Sequence, residues 1–191
     1  MKRMLACLAL VAAGALAHEP LTIKPLAERT VESLPDGELY WRIETVPDGA
    51  AAQAAGSPWS LVAEAAGRTW LFTLGSRADA GAKGTKVADV GPIPRFAAAR
   101  YLLRINQASG APGSLTPIHT HPGSEAFYVV RGEQSIRGPG DVIRVRAGSG
   151  EAGRGADVPM QVSSTGDADL LALVMFVVDA TRPFSSPATL Q

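Results

Sequence analysis

Apolar and polar residues alternate in short runs along most of this chain, and turn residues punctuate them closely. Glu38 to Val46 (ELYWRIETV) reads as a strand, and Pro47-Asp48-Gly49 ends it. Ala50 to Ala55 reads as a short helix entered through Asp48 as N-cap. Ser60 to Ala65 and Arg68 to Leu74 form a predicted hairpin around Ala66-Gly67. Gly75 to Gly84 is rich in Gly, Ala and charge and is expected to be an exposed loop, while Pro92 and Pro94 mark a rigid approach to the second half of the chain. From Arg100 onward the pattern is one of repeated short strands: Arg100 to Asn106, Glu125 to Val130, Glu133 to Arg137, Val142 to Arg146, Met160 to Ser164, and Leu170 to Asp179. Strands this short and this frequent predict an all-β sandwich or barrel. The last of them, LLALVMFVVD, is continuously apolar, so both of its faces are expected to be buried.

The beginning of the chain has a different texture. Lys2 and Arg3 precede an apolar run from Met4 to Ala15, and Ala15-Leu16-Ala17 offers small residues at the positions signal peptidase reads. Residues 1–17 are therefore expected to be a removed signal peptide, with cleavage before His18 and a secreted or periplasmic location. The apolar run falls short of the roughly 20 residues that span a bilayer, and no later stretch qualifies as a membrane span. Removing 17 of the 191 residues leaves 174, enough for one domain with its own core. Cys7 is the only cysteine and lies in the segment to be removed, so no internal disulfide is expected.

Charge excludes one class of partner. Without Lys2 and Arg3, 16 basic residues face 18 acidic ones, a formal net of −2, and no basic stripe is available to neutralise phosphates. Nucleic acid is not an expected partner.

The candidate chemistry is concentrated in one window. Residues two apart on a strand share a face, so His119 and His121 project side by side. Pro122 and Gly123 turn the chain, and Glu125 begins the next strand where it can face back toward the imidazoles. Two imidazoles and a carboxylate form a three-ligand site with open positions, suited to Fe, Mn, Zn or Ni. Alternation from Glu125 puts Phe127 and Val129 on the same face, as candidates to line a pocket, although barrel packing requires the same alternation. Trp41, Trp59 and Trp70 could form a binding wall or simply fill a core.

Gly113 to Gly132, GSLTPIHTHPGSEAFYVVRG, matches G-x5-H-x-H-x3-E-x6-G at Gly113, His119, His121, Glu125 and Gly132. On these residues the chain resembles the cupin superfamily over about residues 100 to 180. The resemblance implies a cupin-type jelly-roll β-barrel at residues 100–191. Residues 18–99 would then be an N-terminal extension of extra strands and a short helix packing on the barrel. In that family the two His and the Glu are metal ligands inside the barrel, and a second motif, G-x5-P-x-G-x2-H-x3-N, supplies a further His. Here that motif is degenerate. It starts at Gly148, after the 15 residues Glu133 to Ala147; without gaps Pro159 falls at the histidine position, and with one extra residue Met160 does, with Ser164 in place of Asn. Met160 is then a thioether ligand, a distant neighbour or an apolar wall filler. As a ligand it would draw the site toward Cu. The resemblance implies one of two functions: a non-catalytic binder of a metal and a small molecule, or a small metalloenzyme acting on an oxygen-rich or aromatic small molecule. Barrels of this type often pair, so the resemblance also carries a homodimer as an expectation.

Overall fold

The structure, a computed structural model, describes residues 19–77 and 83–190. The expected signal peptide, with Cys7 and the cleavage position before His18, lies outside the described residues, as does the middle of the Gly75 to Gly84 loop.

In chain order the strands are β1 (Thr22–Val31), β2 (Leu39–Val46), β3 (Ser60–Ala65), β4 (Arg68–Gly75), β5 (Thr85–Ile93), β6 (Tyr101–Gly110) and β7 (His119–Thr120). After them come β8 (Gly123–Arg131), β9 (Glu133–Arg137), β10 (Val142–Arg146), β11 (Gly150–Ala152), β12 (Gln161–Ser164), β13 (Leu170–Asp179) and β14 (Ser186–Pro187). One helix, α1 (Gly49–Ala55), is entered as expected: the Asp48 carboxylate accepts the Ala51 N–H at 2.8 Å. The β3–β4 hairpin turns at Ala66 and Gly67, both at positive φ, the geometry that matches the strand twist of a two-residue turn.

The strands form a five-stranded sheet ordered β1-β6-β13-β8-β11, a three-stranded sheet β10-β9-β12 and a two-stranded β14-β7 ribbon. These antiparallel sheets make the jelly-roll barrel. A separate four-stranded sheet, β3-β4-β2-β5, covers the outer face of the five-stranded one. The fold is thus all-β, as the spacing of strands predicts.

β13 explains how the two parts share a wall. Leu173, Met175 and Val177 point outward into a core with Trp41, Ile43, Trp70 and Phe72 of the covering sheet. Ala172, Val174, Phe176 and Val178 point into the barrel with Phe127, Val129, Ile136 and Met160. A strand buried on both faces needs the unbroken apolar run that its sequence shows.

Four strands escape the sequence pattern. β1 is an edge strand, mostly exposed and interrupted by a register shift between Pro25 and Ala27, so it lacks clean alternation. It pairs with β6 and so belongs to the barrel, although it precedes the covering sheet in the chain. β5 carries Gly91-Pro92, which reads as a loop signal but stands at the edge of the covering sheet. β11 and β14 are two to three residues long and depend wholly on distant partners.

Candidate metal centre

His119 and His121 sit on the short β7 segment and just after it, at one end of the barrel. The turn beyond them is possible because Gly123 has no side chain: a Cβ there would lie 2.2 Å from the Val177 carbonyl oxygen. β8 therefore approaches β13 closely, and Glu125 and Phe127 continue in its inward row.

The two imidazole rings lie edge to face with centroids 4.9 Å apart. Each is oriented by a backbone carbonyl. His119 Nδ1 is 2.8 Å from the Pro117 oxygen, and His121 Nδ1 is 2.6 Å from the Phe184 oxygen. A carbonyl only accepts, so Nδ1 carries the proton in both rings and Nε2 keeps the free lone pair. This is the tautomer in which a histidine binds a metal through Nε2, its other nitrogen held by an outer partner. His121 is buried, with Phe176 and Phe184 rings packed at 4.8 and 4.7 Å. Desolvation pushes its pKa down to about 4, outweighing the Phe184 carbonyl, so it is neutral at pH 7.

Glu125 is fully enclosed. Desolvation raises its pKa to about 8, only partly opposed by the Arg154 backbone N–H and the Arg154 charge. Its Oε1 accepts a long 3.5 Å contact from that N–H. The side chain fits there because residue 153 is glycine, where a Cβ would stand 2.6 Å from Glu125 Cγ and 2.4 Å from the Phe127 ring. A carboxyl held near β11 is thereby kept neutral at pH 7.

His119, His121, Glu125 and Phe127 all line one cavity of about 390 Å³ that opens at this end of the barrel. The other predicted residues do not. Val129 is buried deeper in the barrel core. Met160 pairs directly with His119 through two backbone hydrogen bonds of 2.9 Å, yet its side chain is wholly buried in the same core rather than in the cavity wall. Trp41 and Trp70 are core residues between the sheets, and Trp59 packs at the edge of that core. Among the described residues, no three His, Cys, Asp or Glu side chains are grouped so that they could hold a metal ion. The structure brings the two imidazoles together and sets Glu125 in the same wall, turned toward Arg154.

Phe184 was not legible as a site residue. The segment after β13 crosses the barrel mouth, and β14 pairs with β7 through Ser186–Thr120 and Pro187–His119. Phe184 thereby supplies both the carbonyl that orients His121 and an aromatic wall. Only the position of an aromatic between Pro183 and Pro187 hints at an ordered strap.

No protein-family model and no curated protein matches the sequence. Solved structures similar to it include a cupin-like protein of Thermotoga maritima, at 17% identity and TM-score 0.40 over 45% of this chain and 64% of that one. A cupin superfamily protein of Desulfitobacterium hafniense is similar at 17% identity and TM-score 0.36, over 40% of this chain and 68% of that one. An oxalate oxidase in complex with glycolate is similar at 22% identity and TM-score 0.37, over 44% of this chain and 45% of that one. The chain thus spans less than two thirds of the length of the first and third. The class that the strand order of the barrel and its first motif define is the cupin-type jelly roll. Among the described residues no helix is long and apolar enough to cross a membrane.

Proposed function

We propose that this chain is an exported cupin that binds a divalent transition metal at His119 and His121 and a small molecule in the adjoining barrel cavity. The observation that carries the reading is the pair of imidazoles, each with Nδ1 donating to a backbone carbonyl and Nε2 left free beside that cavity. The donor chemistry fits Fe, Mn, Zn or Ni. Glu125 is the third candidate ligand, and a carboxyl held neutral at pH 7 would surrender its proton on joining the metal. Such a metal supplies Lewis acidity when bound. The chain's own contribution is to fix both histidine tautomers and to shield the site with Phe176 and Phe184. Met160 serves as a core filler in this reading, which leaves Cu without its expected soft ligand. Export rests on Lys2, Arg3 and the apolar run to Ala15.

A catalytic version of this reading gains support from Glu125 being turned toward Arg154. There the carboxyl exchanges a proton with a bound molecule instead of ligating, at a pKa of about 8 suited to that task.

The test is metal analysis of the purified chain beside a His119→Ala/His121→Ala variant. About one ion per chain is expected in the parent, with a loss of about tenfold or more in the variant. Equal content in the two samples would end the reading.

A further inference from the structure

The cavity body says which molecules it can take. Its walls include Ile23, Ala108, Phe127, Val162, Val174 and Phe176, beside the polar His119, His121 and Glu125. Asn106, Thr116, Ser185 and Ser186 add uncharged polar groups, but among the described residues no Lys or Arg lines the cavity. At about 390 Å³ it falls in the lower part of the roughly 300–1,000 Å³ range of small-molecule sites. Ile23, 45% exposed, stands at the wall as an apolar side chain left partly to solvent.

Arg104, a cation whose charge acts on His121, is screened. Arg104 pairs across the sheet with Phe176, so it shares the inward face of β6. Its guanidinium lies 4.4 Å from the centre of the Phe184 ring and is committed to Asn106 Oδ1 at 2.9 Å and to Glu28 at 3.6 Å. Phe184 lines the cavity and Arg104 does not. The strap residue therefore covers that charge, and Arg154, the guanidinium whose charge acts on Glu125, is paired with Asp141 at 2.7 Å.

Resting on the reading that this cavity is the small-molecule site, we propose that it selects uncharged, ring-sized apolar molecules and rejects carboxylates, with Phe184 setting that preference by screening Arg104. A carboxylate entering the metal-free cavity would lose its hydration with no lining Lys or Arg to replace it. A neutral ring with one hydroxyl loses far less and can direct that hydroxyl to the histidine end.

The test is calorimetric titration of the purified chain, before and after removal of metal by chelation, with 2-naphthol, 2-naphthoate and malonate. In the chelated chain 2-naphthol is expected to bind about tenfold or more tightly than 2-naphthoate, with malonate weaker still. Phe184→Ala bares Arg104 and should narrow the naphthol-to-naphthoate ratio by about tenfold. Ile23→Lys, at a half-exposed position on the edge strand β1, should narrow it similarly by adding a cation at the cavity wall. Naphthoate or malonate binding as tightly as naphthol to the chelated parent overturns the proposal. So does absence of binding by both naphthalenes, or a ratio that Ile23→Lys leaves unchanged. The two readings fail separately. A chain that holds no metal at His119 and His121 can still prefer naphthol, and a metal-binding chain that prefers naphthoate once chelated refutes the cavity proposal alone.

Discussion

The two cores on either side of β13 are built from the same strand but to different ends. Outside, Trp41, Trp70 and Phe72 of the covering sheet fill the space against Leu173, Met175 and Val177. Inside, smaller residues such as Ala108 and Val174 leave room for a cavity that opens at the histidine end. The indoles Trp41 and Trp70 are spent on the outer core, whereas the barrel interior, with Phe127 and Phe176 in its wall, keeps a cavity of about 390 Å³. Stability and site are thereby assigned to opposite faces of one wall.

Mutations can break that division in order of size. Phe72→Ala, in the outer core, should cost about 3–5 kcal/mol in urea unfolding while leaving metal content per folded chain unchanged. Loss of metal with no loss of stability would show that the two faces are not independent. Met160→Ala tests the inner core where it meets the site. As a filler it should cost about 2–5 kcal/mol with metal content unaltered, whereas a fall in copper affinity would make it a ligand.

The smallest effect is read from pH. In the metal-free chain Glu125 keeps in the fold a proton that it releases on unfolding. Its contribution to stability is complete below about 4.5 and is lost as pH rises through about 8. His121 works oppositely: its contribution is present above about 6.5 and is lost as pH falls through about 4. Between pH 6.5 and 8 only Glu125 is changing of the two. Stability should fall there by up to about 2 kcal/mol, at about 1.4 kcal/mol per pH unit. Glu125→Gln should flatten that slope in urea unfolding, and a bound divalent metal should flatten it too by replacing the proton. A slope that survives in the Gln variant would place its origin elsewhere.

How much was legible in the sequence depends on how local each cause is. Asp48 caps α1 through a bond three residues away, Ala66-Gly67 turns a hairpin, and the apolar run of β13 announces burial on both faces. The spacing of His119, His121 and Glu125 likewise puts them in one cavity wall. The features that could not be read depend on distant partners. β1 is an exposed edge strand whose order comes from β6, some 80 residues on. The direction of the Glu125 side chain is decided by space left at Gly153, and the aromatic wall at Phe184 by a strap pairing with β7. Spacing alone carries no sign of either.

β13 is hydrogen-bonded on both sides, to β6 and β8, with a packed layer against each face. The Phe184–Pro187 strap is tied by the two-residue β14–β7 ribbon and the His121–Phe184 hydrogen bond. Amide exchange should be slowest at Leu173 to Val177 and fastest at Ser185 and Ser186, since local opening costs least where pairing is sparse. On the proposed reading a guest molecule would rest on an anvil and be gripped from a pliant side, so differences in guest shape should be absorbed by the strap and leave the anvil unmoved.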